Sequence, residues 1–176
     1  MGTRYLASIK HNGQYIAQYG SMGGHPENAG GAALSFIRKI YPDSVELFKS
    51  KLKNIKLVDE SLCYEIEMPV ILPAYTVYNA IYNSEEELKL YDKQIEFAAS
   101  FSCDWVYVLD FDTNQFKVYK GQNKSIELEE KDFAPYLSDD EASLGYRAAG
   151  LHVAYDFDKL PDDKTFNDLF IETNLD

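Results

Sequence analysis

The first twenty residues alternate between apolar and polar side chains, which is the two-residue repeat of a half-buried β-strand. The pattern predicts one strand over residues 4–10 and a second over residues 15–19. Asn12 and Gly13 lie between these strands, and both residues tolerate the positive φ angles of a tight turn. The opening of the chain is therefore predicted to be a β-hairpin.

Farther along the chain, apolar residues recur every three or four positions and predict three helices. The first begins near Asn28, a good N-cap residue, and ends at Pro42, which cannot continue a helix. The second begins at residue 43 or 44 and turns an apolar face inward, made of Val45, Phe48, Leu52 and Ile55. The third opens with the capping-box pattern of residues 84–87, and its inward face carries Leu88, Tyr91, Ile95 and Ala98.

The second half of the chain returns to strand patterns. Residues 105–111 and 116–120 form a second predicted hairpin, with residues 112–115 as its turn. Residues 126–130 are a candidate for a further strand. Clean alternation of apolar residues predicts a half-buried strand over residues 151–157.

A last helix is predicted to be capped by Asp162 or Asp163. Residues 62–82 are ambiguous, because Pro69 and Pro73 bracket a stretch that fits either an edge strand or an extended crossing segment. Strands and helices come in blocks, which favours an α+β fold over a parallel βαβ sheet. The predicted order is an N-terminal β-hairpin, two helices, a further helix, antiparallel strands and a C-terminal helix. No linker or repeat divides residues 1–176, which predicts a single domain.

Composition limits the class of protein. The chain has 176 residues, 45% of them apolar, and a domain of this size buries roughly two-thirds of its unfolded surface. Its 14 Tyr residues each carry a polar tip, so much of the aromatic surface is expected at core edges, grooves or an interface.

A formal net charge of −12 repels phosphate backbones and anionic membranes, so neither direct nucleic-acid binding nor membrane binding is expected. A basic protein partner would be attracted, although a net acidic surface also serves solubility alone. The sequence opens with no secretory apolar segment and contains no apolar run long enough for a membrane span. These features predict a cytosolic protein of undetermined oligomeric state.

Cysteine and histidine usage argues against metal and disulfide chemistry. Cys63 and Cys103 form no Cys-x-x-Cys pair and lie among apolar or aromatic neighbours, so two buried free thiols are expected. The three histidines, His11, His25 and His152, lack metal-ligand spacing. We therefore assign no metal, no cofactor and no catalytic residue, although a Cys–His pair that forms only in the fold stays open.

Residues 20–31 are the most unusual segment, because five of the twelve are Gly. Glycine either takes backbone angles closed to other residues or lets another group approach the backbone. The segment runs from a strand into a helix, so its N–H groups can hold an anion or another ligand. The predicted ligand-binding residues are Arg4 for charge, Tyr19 for stacking, and Gln18, Gly20, Gly23, Gly24, His25, Asn28 and Gly30.

A structural role for this glycine-rich loop is equally open. The loop lacks both the G-x-G-x-x-G pattern and the Lys-Ser/Thr pair of a P-loop. In the structural alternative, Gly30 and Gly31 let the following helix pack closely against the sheet.

A motif in the N-terminal third consists of Gly2, Thr3, Arg4, Leu6, Gly13, Gln18, Tyr19, Gly20, Gly24, Pro26 and Gly30. With these residues, the N-terminal third resembles a family of short, mostly uncharacterised proteins from phages, prophages and related mobile elements. The chain departs from the family pattern at Met22, Gly23 and His25, where an aromatic residue, Asp and Tyr are usual. A loop function that uses the family's carboxylate would therefore be missing here.

The opening of the chain also resembles that of N-terminal-nucleophile hydrolases, with Thr3, a hairpin, a Gly-containing loop and two helices. This resemblance implies a layered sheet and a Thr nucleophile whose own α-amine acts as base. Removal of Met1 exposes Gly2 and not Thr3, so the chemistry needs a second cleavage.

Three functions are compatible with these features. The first is a non-catalytic accessory protein of a phage or mobile element that binds a host-derived small ligand, such as a nucleotide, or a host protein, and so blunts host defence in the bacterial cytoplasm. The second is an amidohydrolase of the N-terminal-nucleophile type. The third is an acidic inhibitor of a host enzyme that binds nucleic acid.

Overall fold

The computed structural model describes residues 2–59, 73–99, 103–121, 128–129 and 131–171. Within these ranges the strands are β1 (Tyr5–His11), β2 (Gln14–Gly20), β3 (Ile55–Val58), β4 (Leu88–Tyr91), β5 (Trp105–Asp110), β6 (Gln115–Lys120) and β7 (Gly150–Asp156). The α-helices are α1 (Gly31–Ile40), α2 (Val45–Leu52), α3 (Val77–Asn83), α4 (Asp139–Ser143) and α5 (Asp163–Ile171). Mixed helices and strands confirm the α+β fold class.

The main sheet has five strands in the order β2-β1-β5-β6-β7. β1 and β2 form the predicted N-terminal hairpin, and Asn12 and Gly13 take φ angles of 53° and 74° in its turn. β1 runs parallel to β5, with Lys10 opposite Asp110, whereas β6 pairs antiparallel with both β5 and β7. The turns of the β1–β2 and β5–β6 hairpins therefore lie side by side at one edge of the sheet.

The two faces of the sheet carry different layers, because successive side chains of a strand point to opposite faces. One face packs against α1, α2, α3 and α5, and its buried strand residues include Tyr5, Ala7, Ile9, Tyr107, Leu109 and Phe116. The other face lies under a short 3-10 helix, Gln94–Ala98, and buried residues of the segment before β7. Its buried strand residues include Leu6, Ala17, Val106, Val108 and Tyr119.

The helix predicted after residues 84–87 is wrong. Residues Leu88–Tyr91 form β4, which pairs in parallel with β3, and the 3-10 helix Gln94–Ala98 follows. Leu88 and Leu90 satisfy a two-residue repeat as well as Leu88 and Tyr91 satisfy a helical one, so the apolar pattern was ambiguous. Lys93, with a φ angle of 58°, then interrupts any continuous helix.

Two helix boundaries also differ from the prediction. Asn28 does not cap the first helix, because a π-helical turn, Pro26–Gly30, begins before it and leads directly into α1. Proline favours the first turn of a helix, which explains the earlier start. Ile55 belongs to β3 and not to the second helix, since α2 ends at Leu52.

Other predictions for the C-terminal half are confirmed. β5, β6 and β7 form where the alternating patterns occur, and Asp162 caps α5 by accepting a hydrogen bond from the Thr165 amide at 2.7 Å. Cys63, residues 62–72 of the ambiguous segment and residues 126, 127 and 130 of the candidate strand lie outside the described residues. The described part of that segment, residues 73–82, holds a short 3-10 helix, Ala74–Thr76, and most of α3, so the predicted strand or extended conformation is wrong there.

The described residues show neither the stacked sheets that the N-terminal-nucleophile resemblance implies nor a membrane-spanning helix. The described ranges hold one large sheet and one two-stranded sheet, and a second large sheet stacked on the first is not among them. No helix in these ranges has both the length and the apolar character needed to cross a bilayer.

Candidate functional site

The glycines of the loop at residues 20–31 pack closely against tyrosine rings. A Cβ atom placed on Gly20 would lie 2.3 Å from the ring of Tyr5, and one on Gly24 would lie 2.8 Å from that ring. A Cβ on Gly30 would lie 2.8 Å from the ring of Tyr107. Close packing thus accounts for three of the loop glycines, including Gly30 of the structural alternative. Gly31 has no such contact, since a Cβ placed on it would meet only the Pro26 carbonyl at 3.8 Å.

Several loop amides already donate hydrogen bonds inside the protein. The Gly24 amide donates to the Thr3 carbonyl at 3.0 Å, and the amides of Asn28 and Ala29 donate to the His25 carbonyl at 2.9 and 3.0 Å. Gly23 differs, since its φ angle is 78° and the space beside it is open. An anion held by the loop would have to compete with these internal bonds, and the loop site stays a prediction.

The other predicted ligand-binding residues are engaged elsewhere. The Arg4 guanidinium lies 3.5 Å from the Asp104 carboxylate, and the Arg4 amide donates to the same carboxylate at 2.7 Å. The ring of Tyr19 packs on Phe97 with centroids 4.7 Å apart. Gln18 points to the opposite face of β2 from Tyr19, is 8% exposed and donates to the Ala17 carbonyl. Gln18 and Tyr19 therefore cannot contact one small ligand together.

Thr3 and His25 meet in the fold, although no local sequence pattern pairs them. The Thr3 hydroxyl and His25 Nε2 are 2.6 Å apart, which is the spacing of a nucleophile and its base. A working base is normally oriented by a third group, and none in the described part of the chain hydrogen-bonds to the other ring nitrogen of His25. We assign no catalytic role to this pair.

The Cys103 thiol is shielded from reaction. It is fully buried and donates to the Trp105 carbonyl at 3.0 Å, and burial raises its pKa well above the usual range. A thiol in this state is a poor nucleophile, because the thiolate is the reactive form. Among the described residues, no three His, Cys, Asp or Glu side chains gather as metal ligands.

A cavity of about 550 Å³ lies at the other end of β1, roughly 20 Å from the glycine-rich loop for a seven-residue strand. We call it the hairpin cleft, and it is lined by residues 11–16, 52–53, 57, 92–93, 95–96 and Tyr136. The β1–β2 hairpin, the segment from the end of α2 into β3, and the 3-10 helix with the turn before it supply all of this lining except Tyr136. Four parts of the chain that are distant in sequence thus meet at one place.

The hairpin cleft combines aromatic, apolar and charged groups. Tyr15 and Tyr136 line it, and both pack against the buried ring of Phe133 with centroids 5.6 and 6.5 Å away. Burial, and next the charge of Asp132, raise the pKa of Tyr15 far above its usual value, so its hydroxyl stays neutral. Ile16, Leu52, Leu57 and Ile95 supply apolar surface, and Lys53, Lys93, Asp92 and Glu96 supply the charges.

A second cavity of about 450 Å³ adjoins the hairpin cleft and shares part of its lining. We call it the acidic cavity, since it carries four carboxylates and a single ammonium group: Asp59, Asp92, Glu96, Glu141 and Lys93. Lys93 lies 3.8 Å from Asp59, so one carboxylate is partly compensated. Phe97 and Tyr136 add aromatic surface to the same cavity.

A buried ionic network lies beside the hairpin cleft, at the edge where the two hairpin turns meet. Asp110 is 1% exposed and accepts a hydrogen bond from Lys117 at 2.8 Å, with Lys10 3.9 Å away. Burial alone would raise the pKa of Asp110, but the hydrogen bond and charge of Lys117 hold it below the usual value. The Lys10 ammonium also lies 5.2 Å from the ring centre of Tyr15, which connects the network to the cleft.

The sequence contained only an indirect signal for the hairpin cleft. Abundant Tyr predicted aromatic surface in grooves, but nothing located the groove. Comparison of the chain with protein-family models, with curated proteins and with solved structures finds no match.

Proposed function

We propose that this protein is a non-catalytic accessory protein of a phage or related mobile element that binds a small host-derived ligand in the hairpin cleft. The observation that carries the proposal is the cleft itself. Its volume of about 550 Å³ lies within the range of small-molecule sites, roughly 300–1,000 Å³. The assignment to a mobile element, and with it a role against host defence, is supported only by the resemblance of the opening residues.

The lining fits a planar ligand that carries polar groups. Tyr15 and Tyr136 offer rings for stacking, while the Asn12 and Gln14 side chains offer donors and acceptors. Lys53 and Lys93 are exposed cations against the carboxylates of Asp92 and Glu96, so the cleft is locally neutral in a chain of net charge −12. A nucleotide matches this lining, because its base can stack on the tyrosine rings and its phosphate can pair with the lysines.

The test is a thermal-shift screen of nucleotides and cyclic nucleotides, followed by calorimetric titration of any ligand that raises the melting temperature. We compare Lys53→Glu with Lys56→Glu, because both lysines are exposed and near each other in sequence but only Lys53 lines the cleft. The proposal expects weaker binding by Lys53→Glu alone. Absence of any shift across the panel, or equal weakening by both variants, would count against it.

The acidic cavity favours a second candidate, an inhibitor that binds a basic host enzyme acting on nucleic acid. Four carboxylates and two aromatic rings suit arginine or lysine side chains of such a partner. This candidate expects affinity for basic nucleic-acid-binding enzymes to fall steeply as salt is raised. The double variant Asp92→Asn with Glu96→Gln should abolish binding, whereas Glu85→Gln with Glu87→Gln, at exposed positions outside the cavity, should preserve it.

A further inference from the structure

The topology brings two turns together that are about a hundred residues apart in sequence. β1 and β5 are parallel neighbours, and the register places Lys10 beside Asp110 at the last pair. Each strand then enters a hairpin turn at the same edge of the sheet. The β5–β6 turn is therefore placed to contact the β1–β2 turn, which contributes to the lining of the hairpin cleft.

Asp112 makes that contact with both oxygens of its carboxylate. The Asn12 amide donates to Oδ1 at 2.6 Å, and the Gly13 amide donates to Oδ2 at 2.8 Å. Asn12 and Gly13 are the two central residues of the β1–β2 turn, and both line the cleft. One side chain from the second hairpin thus fixes the turn of the first.

Asp112 is itself held by the buried network. The amides of Asp112 and Thr113 donate to Oδ1 of Asp110 at 3.0 and 3.1 Å, and Lys117 occupies Oδ2 of the same carboxylate. Since Asp110 is almost fully buried, the β5–β6 turn has a rigid anchor in the sheet. Hydrogen bonds therefore run without interruption from the buried lysine, through Asp110 and Asp112, to the lining of the cleft.

Stability alone does not require this arrangement. The amides of Asn12 and Gly13 belong to exposed residues, so water can accept their hydrogen bonds when no protein group does. An Asn-Gly hairpin turn also forms readily from its own backbone preferences. The effect specific to the Asp112 carboxylate is the fixed position of the turn.

We propose that Asp112 is a positioning residue of the hairpin cleft, which holds the β1–β2 turn in the geometry that receives the ligand. The expected effect of Asp112 on ligand affinity rests on the proposed function of the hairpin cleft. The position of the turn itself is measurable without any ligand.

The experiment compares Asp112→Asn with Asp158→Asn, which makes the same chemical change at an exposed carboxylate with no hydrogen bond or ion pair in the described structure. Backbone ¹⁵N relaxation gives the order parameters of Asn12 and Gly13. We expect values near 0.85 in the wild type and Asp158→Asn, and below about 0.6 in Asp112→Asn. Melting temperatures of the two variants should agree to within roughly 2 °C, because the turn is exposed.

The binding measurement uses adenosine 5′-monophosphate as the probe. We expect Asp112→Asn to bind it about three- to tenfold more weakly than Asp158→Asn, because ligand binding must then order a mobile turn. The proposal would be overturned if the order parameters of Asn12 and Gly13 were unchanged in Asp112→Asn. It would also be overturned if the turn became mobile but Asp112→Asn and Asp158→Asn bound the nucleotide with equal affinity. If the wild type does not bind this nucleotide, the nucleotide form of the proposed function fails, and the order parameters alone decide whether Asp112 positions the turn.

Discussion

Replacement of Asp110 by Asn should be among the most destabilising single changes in this protein. Asp110 is 1% exposed and Lys117 is 9% exposed, and their charged groups are 2.8 Å apart. The Asn side chain keeps an oxygen for the amides of Asp112 and Thr113, but it leaves the buried ammonium of Lys117 without its counter-charge. Loss of one partner of a buried ion pair costs about 3–5 kcal/mol, and we expect Asp110→Asn to lie in that range.

The partner variant Lys117→Met should cost less. Asp110 would still accept two backbone hydrogen bonds and would keep the Lys10 ammonium at 3.9 Å, so its charge would remain partly compensated. Met also fills the buried stem volume of Lys without a charge. Urea denaturation of both single variants and the double variant forms a cycle that measures the coupling of the pair.

The pH dependence of Asp110→Asn provides an independent check. The pKa of Asp110 is lowered below 3.8 in the fold, so its contribution to stability is complete above the unfolded pKa and is lost as pH falls through the folded pKa. The stability difference between the wild type and Asp110→Asn should therefore be constant near neutrality and shrink at acid pH. A cost below about 1 kcal/mol, or a difference that does not shrink in acid, would refute the reasoning.

Two further predictions concern other parts of the fold. Burial, and next the charge of Lys120, lower the pKa of His152 below 6.5, and its ring packs against both Trp105 and Phe170. The unfolded chain then takes up the proton at higher pH than the folded chain, so stability should fall as pH is lowered through about 6.5. In urea titrations, His152→Gln should flatten this dependence. Gly24→Val should lower the free energy of unfolding by about 1–3 kcal/mol, because its Cβ would meet the Thr3 carbonyl and the Tyr5 ring at 2.8 Å. Lys53→Ala, at an exposed position, should change the free energy of unfolding by less than about 0.5 kcal/mol. Equal melting temperatures for the two variants would show that the loop is not closely packed.

Local sequence signals predicted the elements that depend on local physics. The Asn12-Gly13 turn, the second hairpin and the Asp162 cap each follow from preferences of a few adjacent residues. The prediction for residues 84–98 was wrong because the apolar residues there fit both the two-residue repeat of a strand and the repeat of a helix. Parallel pairing with β3, a tertiary contact, selected the strand.

The hairpin cleft could not be predicted from the sequence, because no local pattern specifies it. Its lining depends on the parallel pairing of β1 with β5 and on the position of residues 92–96 beside the first hairpin. Such non-local contacts are set by the whole fold. The loop at residues 20–31 gave a strong local signal, but the tyrosine rings that explain several of its glycines lie beyond that segment.

Amide chemical-shift mapping of the ¹⁵N-labelled protein against the nucleotide panel tests the central claim most directly, since the two candidate locations lie at opposite ends of β1. A ligand in the hairpin cleft should shift the resonances of Gly13, Lys53, Lys93 and Tyr136 and leave those of Gly23 and Gly24 in place. Shifts confined to the glycine-rich loop, or no shifts with any nucleotide, would contradict the account.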